Sequence, residues 1–230
     1  LSLSILAMYL TINNPCACMD SLTGLNDKQY LLRRMDELTD AHKAFHIITV
    51  YAYQLDHMNK VEGVQNGDEF LRRAAERMQE IADRNVFRIS GKRFLLMTFS
   101  LREYETCLTR LRQLFHTQPD DAHATPTPVI LCGVVNAEKL GTSGLVLDYA
   151  EYLESLVSRS GETQVIQNDR KTMDSFHYNK QVEQFLHRAI AEDLFEVYYQ
   201  PVYSLHRQRY VTLEALSRLR HPELGWISPD

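Results

Sequence analysis

The sequence has no apolar run long enough to cross a bilayer, which takes about 20 residues. The nearest is Leu1–Ile12 (LSLSILAMYLTI). That stretch also lacks the basic start and the small-residue cleavage site of a secretory signal. Two readings of it stay open. It is the end of a transmembrane or signalling helix that begins upstream, or a soluble helix that packs on the domain or on a partner. Cysteine is scarce, with only Cys16, Cys18, Cys107 and Cys132. Their spacing fits neither a paired zinc site nor a dense disulfide framework, which points to a reducing compartment. Cys132 lies in an apolar run and is expected to be a buried small hydrophobe. Cys16 and Cys18 form a lone C-x-C with no second ligand pair. There is no basic excess: the net charge is −5, which argues against a nucleic-acid polymer as partner. The nine histidines are dispersed, without an H-E-x-x-H spacing. A Gly-rich phosphate loop, a G-x-S-x-G elbow, internal repeats and low-complexity tracts are also missing.

What is present is an ordinary globular composition, 44% hydrophobic and 24% charged. Apolar residues at helical spacing predict helices over Asn26 to Asp40, Phe70 to Ile81, Leu101 to Phe115 and Ser143 to Ser158, the last with Gly161 as a stop signal. Strands are predicted at Phe45 to Tyr53, Val129 to Val135 and Thr163 to Ile166. Val86-Phe87-Arg88-Ile89 and Phe94-Leu95-Leu96-Met97 flank a Gly-containing turn and read as a hairpin. Gln118 to Pro128 reads as a loop. This order makes one α/β domain that ends near residue 168. A charged helix over Asp169 to Asp193 reads as a linker. Two further strands follow, Phe195 to Leu205 and Arg209 to Leu216, with a polar turn between them.

Three stretches carry a family resemblance. Asp20-Ser21-Leu22-Thr23-Gly24-Leu25 is similar to the D-x-L-T-G-L that opens GGDEF domains. Asn59, Gly63 and Gly67-Asp68 resemble the family's N-D-x-x-G-H-x-x-G-D. The hairpin Arg88-Ile89-Ser90-Gly91-Lys92-Arg93-Phe94 falls where the family has R-Y-G-G-D-E-F. The resemblance covers residues 20–168. It implies an α/β (α+β), nucleotidyl-cyclase-like domain with a central, mainly antiparallel sheet flanked by helices.

The departures bear on function. An active member condenses two GTP molecules with two metal ions held by carboxylates. At the metal positions this chain has Tyr51 and Lys92. The second acid of the strand pair is Tyr53, and the fourth hairpin position is Arg93. A phenol does not replace a carboxylate on magnesium, and a lysine repels the metal. The resemblance therefore implies no cyclase activity and no cofactor in this domain. The guanine-reading positions are kept as Asn59 and Asp68, whose amide and carboxylate suit that edge. Lys92 and Arg93 are candidate phosphate ligands without metal, so GTP is a candidate partner. The alternative for the same residues is structural: Asp68 caps the helix that follows it and Asn59 holds a turn. Ile81-Ala82-Asp83-Arg84 does not match the family's Arg-x-x-Asp inhibition site, so inhibition by cyclic di-GMP there is not expected.

A second resemblance begins after the linker helix. Tyr199-Gln200-Pro201-Val202 is similar to the Y-Q-P-I of EAL domains. Glu214-Ala215-Leu216-Ser217-Arg218 matches E-A-L-x-R, and His221 to Pro229 resembles H-P-x-x-G-x-I-x-P. It implies the first two strands of a (β/α)₈-type barrel that hydrolyses cyclic di-GMP to pGpG. Glu214 would be one carboxylate for magnesium or manganese in the complete domain. Gln200 and Arg218 would contact cyclic di-GMP, Arg218 through phosphate. Both ends of the chain read as cuts, so a fragment is expected. Its parts are an N-terminal apolar helix (1–19), a degenerate GGDEF domain (20–168), a linker helix (169–193) and the start of an EAL domain (194–230). The expectation is a regulatory module for an EAL phosphodiesterase in a cyclic di-GMP signalling protein. It would be a homodimer with cytoplasmic domains, attached to the inner membrane through an upstream region. The alternative is a non-catalytic GTP-binding or protein-interaction module.

Overall fold

The computed structural model describes residues 18–116, 128–158 and 162–227. The apolar start at Leu1–Ile12, Cys16, most of the Gln118 to Pro128 loop, Gly161 and the Ser228-Pro229 end of the last motif lie outside the described residues. The chain divides into two compact units, Leu1–Asp169 and Arg170–Asp230.

The first unit is built on a six-stranded sheet. Strand β1 (Asn26–Asp27) leads directly into helix α1 (Lys28–Asp40). Asp27 caps that helix by accepting from the Tyr30 N–H at 2.9 Å. Leu31, Met35 and Leu38 recur at helical spacing and are its buried residues. Strand β2 (His46–Tyr51) is buried along most of its length, as its β-branched content implies. Helices α2 (Leu55–Glu62) and α3 (Val64–Ala82) follow. The chain breaks between them at Gly63, where φ is 92°.

The sequence predicts only the later part of this region, from Phe70. Helix α2 buries a single residue, Leu55, so it carries no apolar stripe to read. The first three residues of α3, Val64, Gln65 and Asn66, are exposed. The hairpin forms as expected from β3 (Val86–Ser90) and β4 (Arg93–Thr98). Helix α4 (Leu101–His116), strand β5 (Ile130–Val134), helix α5 (Ser143–Ser155) and strand β6 (Gln164–Gln167) complete the unit.

The strand order is β1-β3-β4-β2-β5-β6. The three inner pairings are antiparallel, and β1 with β3 and β5 with β6 are parallel. Side chains alternate across the sheet. Ile48, Val50, Phe94, Leu96 and Leu131 meet Leu71, Ala75 and Met78 of α3 and Tyr104 and Leu111 of α4 in one core cluster. Thr49 points to the opposite face, where its hydroxyl donates to Glu154 of α5 at 3.3 Å. Cys132 is fully buried, as the apolar run around it implies.

The second unit is helix α6 (Arg170–Ala191) with strands β7 (Glu196–Ser204), β8 (Arg209–His221) and β9 (Gly225–Ile227). The strands pair antiparallel in that order. β8 runs past the predicted end at Leu216, and β9 is added. A three-residue strand is too short to show a period in sequence. Phe185 and Ala189 of α6 pack with Leu219 of β8, so the helix read as a linker is part of this unit's small core. Among the described residues no helix is long and apolar enough to cross a membrane.

Candidate functional site

The hairpin turn of the first unit is held from below by the D-x-L-T-G-L segment. Asp20 closes its own loop by accepting from the Thr23 N–H at 2.9 Å and hydroxyl at 2.7 Å. Gly24, at φ 68°, lets the chain turn back there. The same Asp20 oxygen pairs with the Arg88 guanidinium at 2.7 Å. Arg88 reaches on to the carbonyls of Ser90 (3.3 Å) and Gly91 (3.2 Å). One arginine thus ties the opening motif to the turn residues. Partial burial raises the Asp20 carboxyl, but the hydrogen bonds from Thr23 and Arg88 outweigh it and leave the group below the ordinary carboxylate range.

Beyond the turn, β4 begins at Arg93, directly opposite Tyr51 in the register with β2. The Arg93 guanidinium lies 4.5 Å from the centre of the Tyr51 ring. Its Nε donates to Glu154 Oε2 at 2.8 Å, and Glu151 approaches at 3.8 Å. Glu154 is buried, and its other oxygen takes the Thr49 hydroxyl. Burial pushes the Glu154 carboxyl up, and Arg93 pulls against it without cancelling it. The structure therefore gives Arg93 to α5. Its Nε is thereby engaged within the domain. Tyr53 donates its hydroxyl to the Glu162 carbonyl at 3.5 Å.

Lys92 pairs with Asp56 of α2, and its carbonyl accepts from the Ala52 N–H at 2.9 Å. Asn59 follows Asp56 by three residues, so the two share one face of α2. Asn59 Oδ1 is buried with no hydrogen-bond partner among the described residues. It lies against Gly67 of α3, where a Cβ would stand 1.8 Å from that oxygen. Gly67 is needed for this approach of the two helices. Asp68 is the fifth residue of α3.

These positions correct the two structural readings of the pair. Asp68 does not cap the following helix, because it lies inside it, and the cap position is Gly63. Asn59 does not hold a turn, because it lies within α2.

Sequence reasoning missed Glu154 and Asp56, the partners of Arg93 and Lys92. Glu154 left a signal. It follows the buried Leu147 by seven residues and the buried Ala150 by four, which places a charge on the apolar face of a helix. Such a charge needs a cation. Asp56 left none, because an exposed acid on a short helix is ordinary.

In the second unit Gln200 stands directly opposite Glu214 in the β7–β8 register, and Arg218 opposite Glu196. Glu214 and Arg218 are four residues apart on one strand and share a face. Tyr198 and Trp226 meet edge to face at 5.9 Å. The proposed contact residues are thus on one exposed sheet face, away from the Phe185–Leu219 core. Among the described residues no group of three or more His, Cys, Asp or Glu is placed to hold a metal ion. Glu214 and Glu196 are joined by no third ligand among the described residues, so these residues do not by themselves fit a divalent ion.

A mixed sheet with helices on both faces, a hairpin of this register and the D-x-L-T-G-L loop beneath it define a nucleotidyl-cyclase-like domain of the GGDEF type. The family model described as "Diguanylate cyclase, GGDEF domain" matches residues 17–148, and the chain belongs to that family. A shorter match to the EAL domain covers residues 183–230, beginning within α6. The chain is 26% identical over 219 residues to the uncharacterized protein y4lL of Sinorhizobium fredii, covering 91% of this chain and 26% of that protein. It is 24% identical over 232 residues to the cyclic di-GMP phosphodiesterase NbdA of Pseudomonas aeruginosa, covering 92% of this chain and 28% of that protein. The chain thus spans between a quarter and a third of the curated relatives' length. Among solved structures, the S helix-GGDEF-EAL portion of Vibrio cholerae LapD bound to c-di-GMP superposes with a TM-score of 0.55 at 15% identity. It covers 96% of this chain and 53% of that one. The GGDEF domain of Pseudomonas aeruginosa FimX matches with a TM-score of 0.55 at 19% identity, over 66% of this chain and 99% of that one. These superpositions show a shared fold. The family places the chain among GGDEF–EAL proteins of cyclic di-GMP signalling.

Proposed function

We propose that this chain is the regulatory part of a cyclic di-GMP signalling protein, with a GGDEF domain that does not make the dinucleotide. The observation that carries the reading is at the hairpin. Where the family places metal carboxylates, this chain has Tyr51 and Lys92, and the adjoining Arg93 is bound to Glu154. Two cations and two phenols leave the triphosphate without the metal that activates the attacking hydroxyl. The test is direct: the chain is incubated with GTP and magnesium or manganese, and the products are separated by chromatography. No cyclic di-GMP is expected, and turnover above a no-protein control overturns the reading.

The EAL region would belong to a cyclic di-GMP phosphodiesterase, the activity in NbdA's name, and pGpG would be its product. Glu214 would hold magnesium or manganese together with acids outside this chain. Gln200 and Arg218 would contact the dinucleotide from the same sheet face. Hydrolysis by the full-length protein that disappears in Glu214→Gln is the expected result.

A second reading concerns the first domain as a GTP sensor, with Asn59 and Asp68 as the guanine contacts. The close approach of α2 and α3 at Gly67 favours it, because Asn59 lies against Gly67 and Asp68 is the next residue, which brings the two expected contacts into one region. GTP binding by calorimetry that is lost in both Asn59→Ala and Asp68→Ala supports the reading. Equal binding in the variants removes it.

A further inference from the structure

We propose that Trp226 is a stacking platform for a base of cyclic di-GMP, on the same sheet face where Gln200 and Arg218 would contact that ligand. The inference rests on the phosphodiesterase reading and deepens it by adding a base subsite. The motif does not specify this residue: Trp226 fills the open position between Gly225 and Ile227 in H-P-x-x-G-x-I-x-P.

The strand register puts the indole on that face. Trp226 stands opposite Arg220 in the β8–β9 pairing. Arg220 is two residues from Arg218, so the two share a side of the sheet. Tyr198 stands opposite Leu216, two residues before Arg218, and joins them there. Its ring meets Trp226 at 87° with the centres 5.9 Å apart. Glu196 and Glu214 lie on the same face, and Glu196 hydrogen-bonds the Tyr198 hydroxyl.

The platform is fixed from behind. His221 Nδ1 accepts from the N–H groups of Glu223 and Leu224, both at 3.1 Å. Gly225 completes the turn at φ 78°, a conformation open to a residue without Cβ. On the other side of the sheet the His221 ring meets Phe185 of α6 edge to face at 4.5 Å. The helix therefore holds the turn, and the turn holds the short strand that carries Trp226. A ring positioned in advance loses little freedom when a base stacks on it.

The surroundings suit a nucleotide. Trp226 is 53% exposed, so a base can reach it. The Arg220 guanidinium lies 5.9 Å from the ring centre, near the outer limit of a cation–π contact. Arg218 donates to the Ser217 carbonyl at 2.9 Å, which uses one of its five donors. Two strand residues, about 7 Å, separate Arg218 from the position opposite Trp226. A sugar bridges a span of that order, so the base would stack on the indole while its phosphate meets Arg218.

The test is calorimetric titration of the full-length protein with cyclic di-GMP, as wild type, Trp226→Leu, Trp226→Phe and Arg218→Ala. Trp226→Leu keeps apolar bulk and removes the π surface, and its Kd is expected to rise about tenfold. Trp226→Phe keeps a ring and is expected to lose only a small part of that affinity. Trp226 is the only tryptophan of the 230-residue chain, so a change in its emission as cyclic di-GMP binds this chain reports the stack directly. Wild-type affinity in Trp226→Leu, or binding by the chain without a change in emission, overturns the platform. Weakened binding in Arg218→Ala would then leave the contact reading standing. No binding of cyclic di-GMP by the folded full-length protein overturns both.

Discussion

The guanidinium of Arg93 stacks 4.5 Å above the Tyr51 ring while its Nε donates to the buried carboxylate of Glu154 at 2.8 Å. This ties the last residue of β2 and the first of β4 to the end of α5. The fourth hairpin position, an acid in active relatives, serves here as a structural cation. Arg93→Ala leaves Glu154 buried without its cation and is expected to cost about 3 kcal/mol. Glu154→Leu combined with Arg93→Met is expected to recover most of that loss, because neither charge then needs solvation. Urea unfolding of the single and double variants measures both. A neutral Arg93→Ala would show that the pair contributes nothing to the fold.

Gly67→Ala tests the contact between α2 and α3. Its methyl would stand 1.8 Å from Asn59 Oδ1, and the helices must shift to admit it. A loss of about 1–3 kcal/mol is expected. The same change in an Asn59→Ala background should cost little, because the obstructing atom is gone. A double-mutant cycle with no coupling would contradict the close approach.

His46 sets a pH dependence. Its Nδ1 accepts from the Asn136 N–H at 2.9 Å, which requires the Nε2–H neutral tautomer. Burial holds the imidazole below its ordinary value of 6.5, and the nearby Glu138 and Glu103 act in the opposite direction without reversing it. The unfolded chain therefore binds this proton more readily than the folded one. The stabilisation is complete above pH 6.5 and is lost as pH falls through the folded-state value. His46→Asn keeps an acceptor and removes the titration, so its unfolding free energy should not show this loss. Two parallel stability curves between neutral and mildly acidic pH would refute the assignment.

Phe185 tests the core of the second unit, where it packs with Ala189 and Leu219. Truncation to Ala should cost about 3–5 kcal/mol, a large share of what a three-stranded sheet with one helix can supply. Hydrogen exchange over β7 and β8 is the measurement, and faster exchange there is the expected outcome. Unchanged protection would place the stability of these strands elsewhere.

Much of this was legible in the sequence. The order of elements in the first domain followed from apolar periodicity, because each long helix and inner strand buries a regular face. Leu31, Met35 and Leu38 on α1 and the β-branched run of β2 are examples. Helix α2 and strand β9 were not legible. The first buries one residue and the second is three residues long, so neither shows a repeat. The EAL-like strands were legible through their motifs, and Val197, Tyr199, Tyr210 and Leu213 on them are exposed.

Sequence alone put Tyr51, Tyr53, Lys92 and Arg93 at the strand and hairpin positions where the resemblance leads one to expect acids, since residue type at a motif position needs no coordinates. Only the tertiary structure decided what those replacements do. Arg93 and Glu154 are 61 residues apart, and Lys92 and Asp56 are 36 apart. Which carboxylate neutralises which cation is therefore set by how α2 and α5 pack on the sheet. Local pattern records burial and period. It does not record which two charges long-range packing brings within a hydrogen bond of each other.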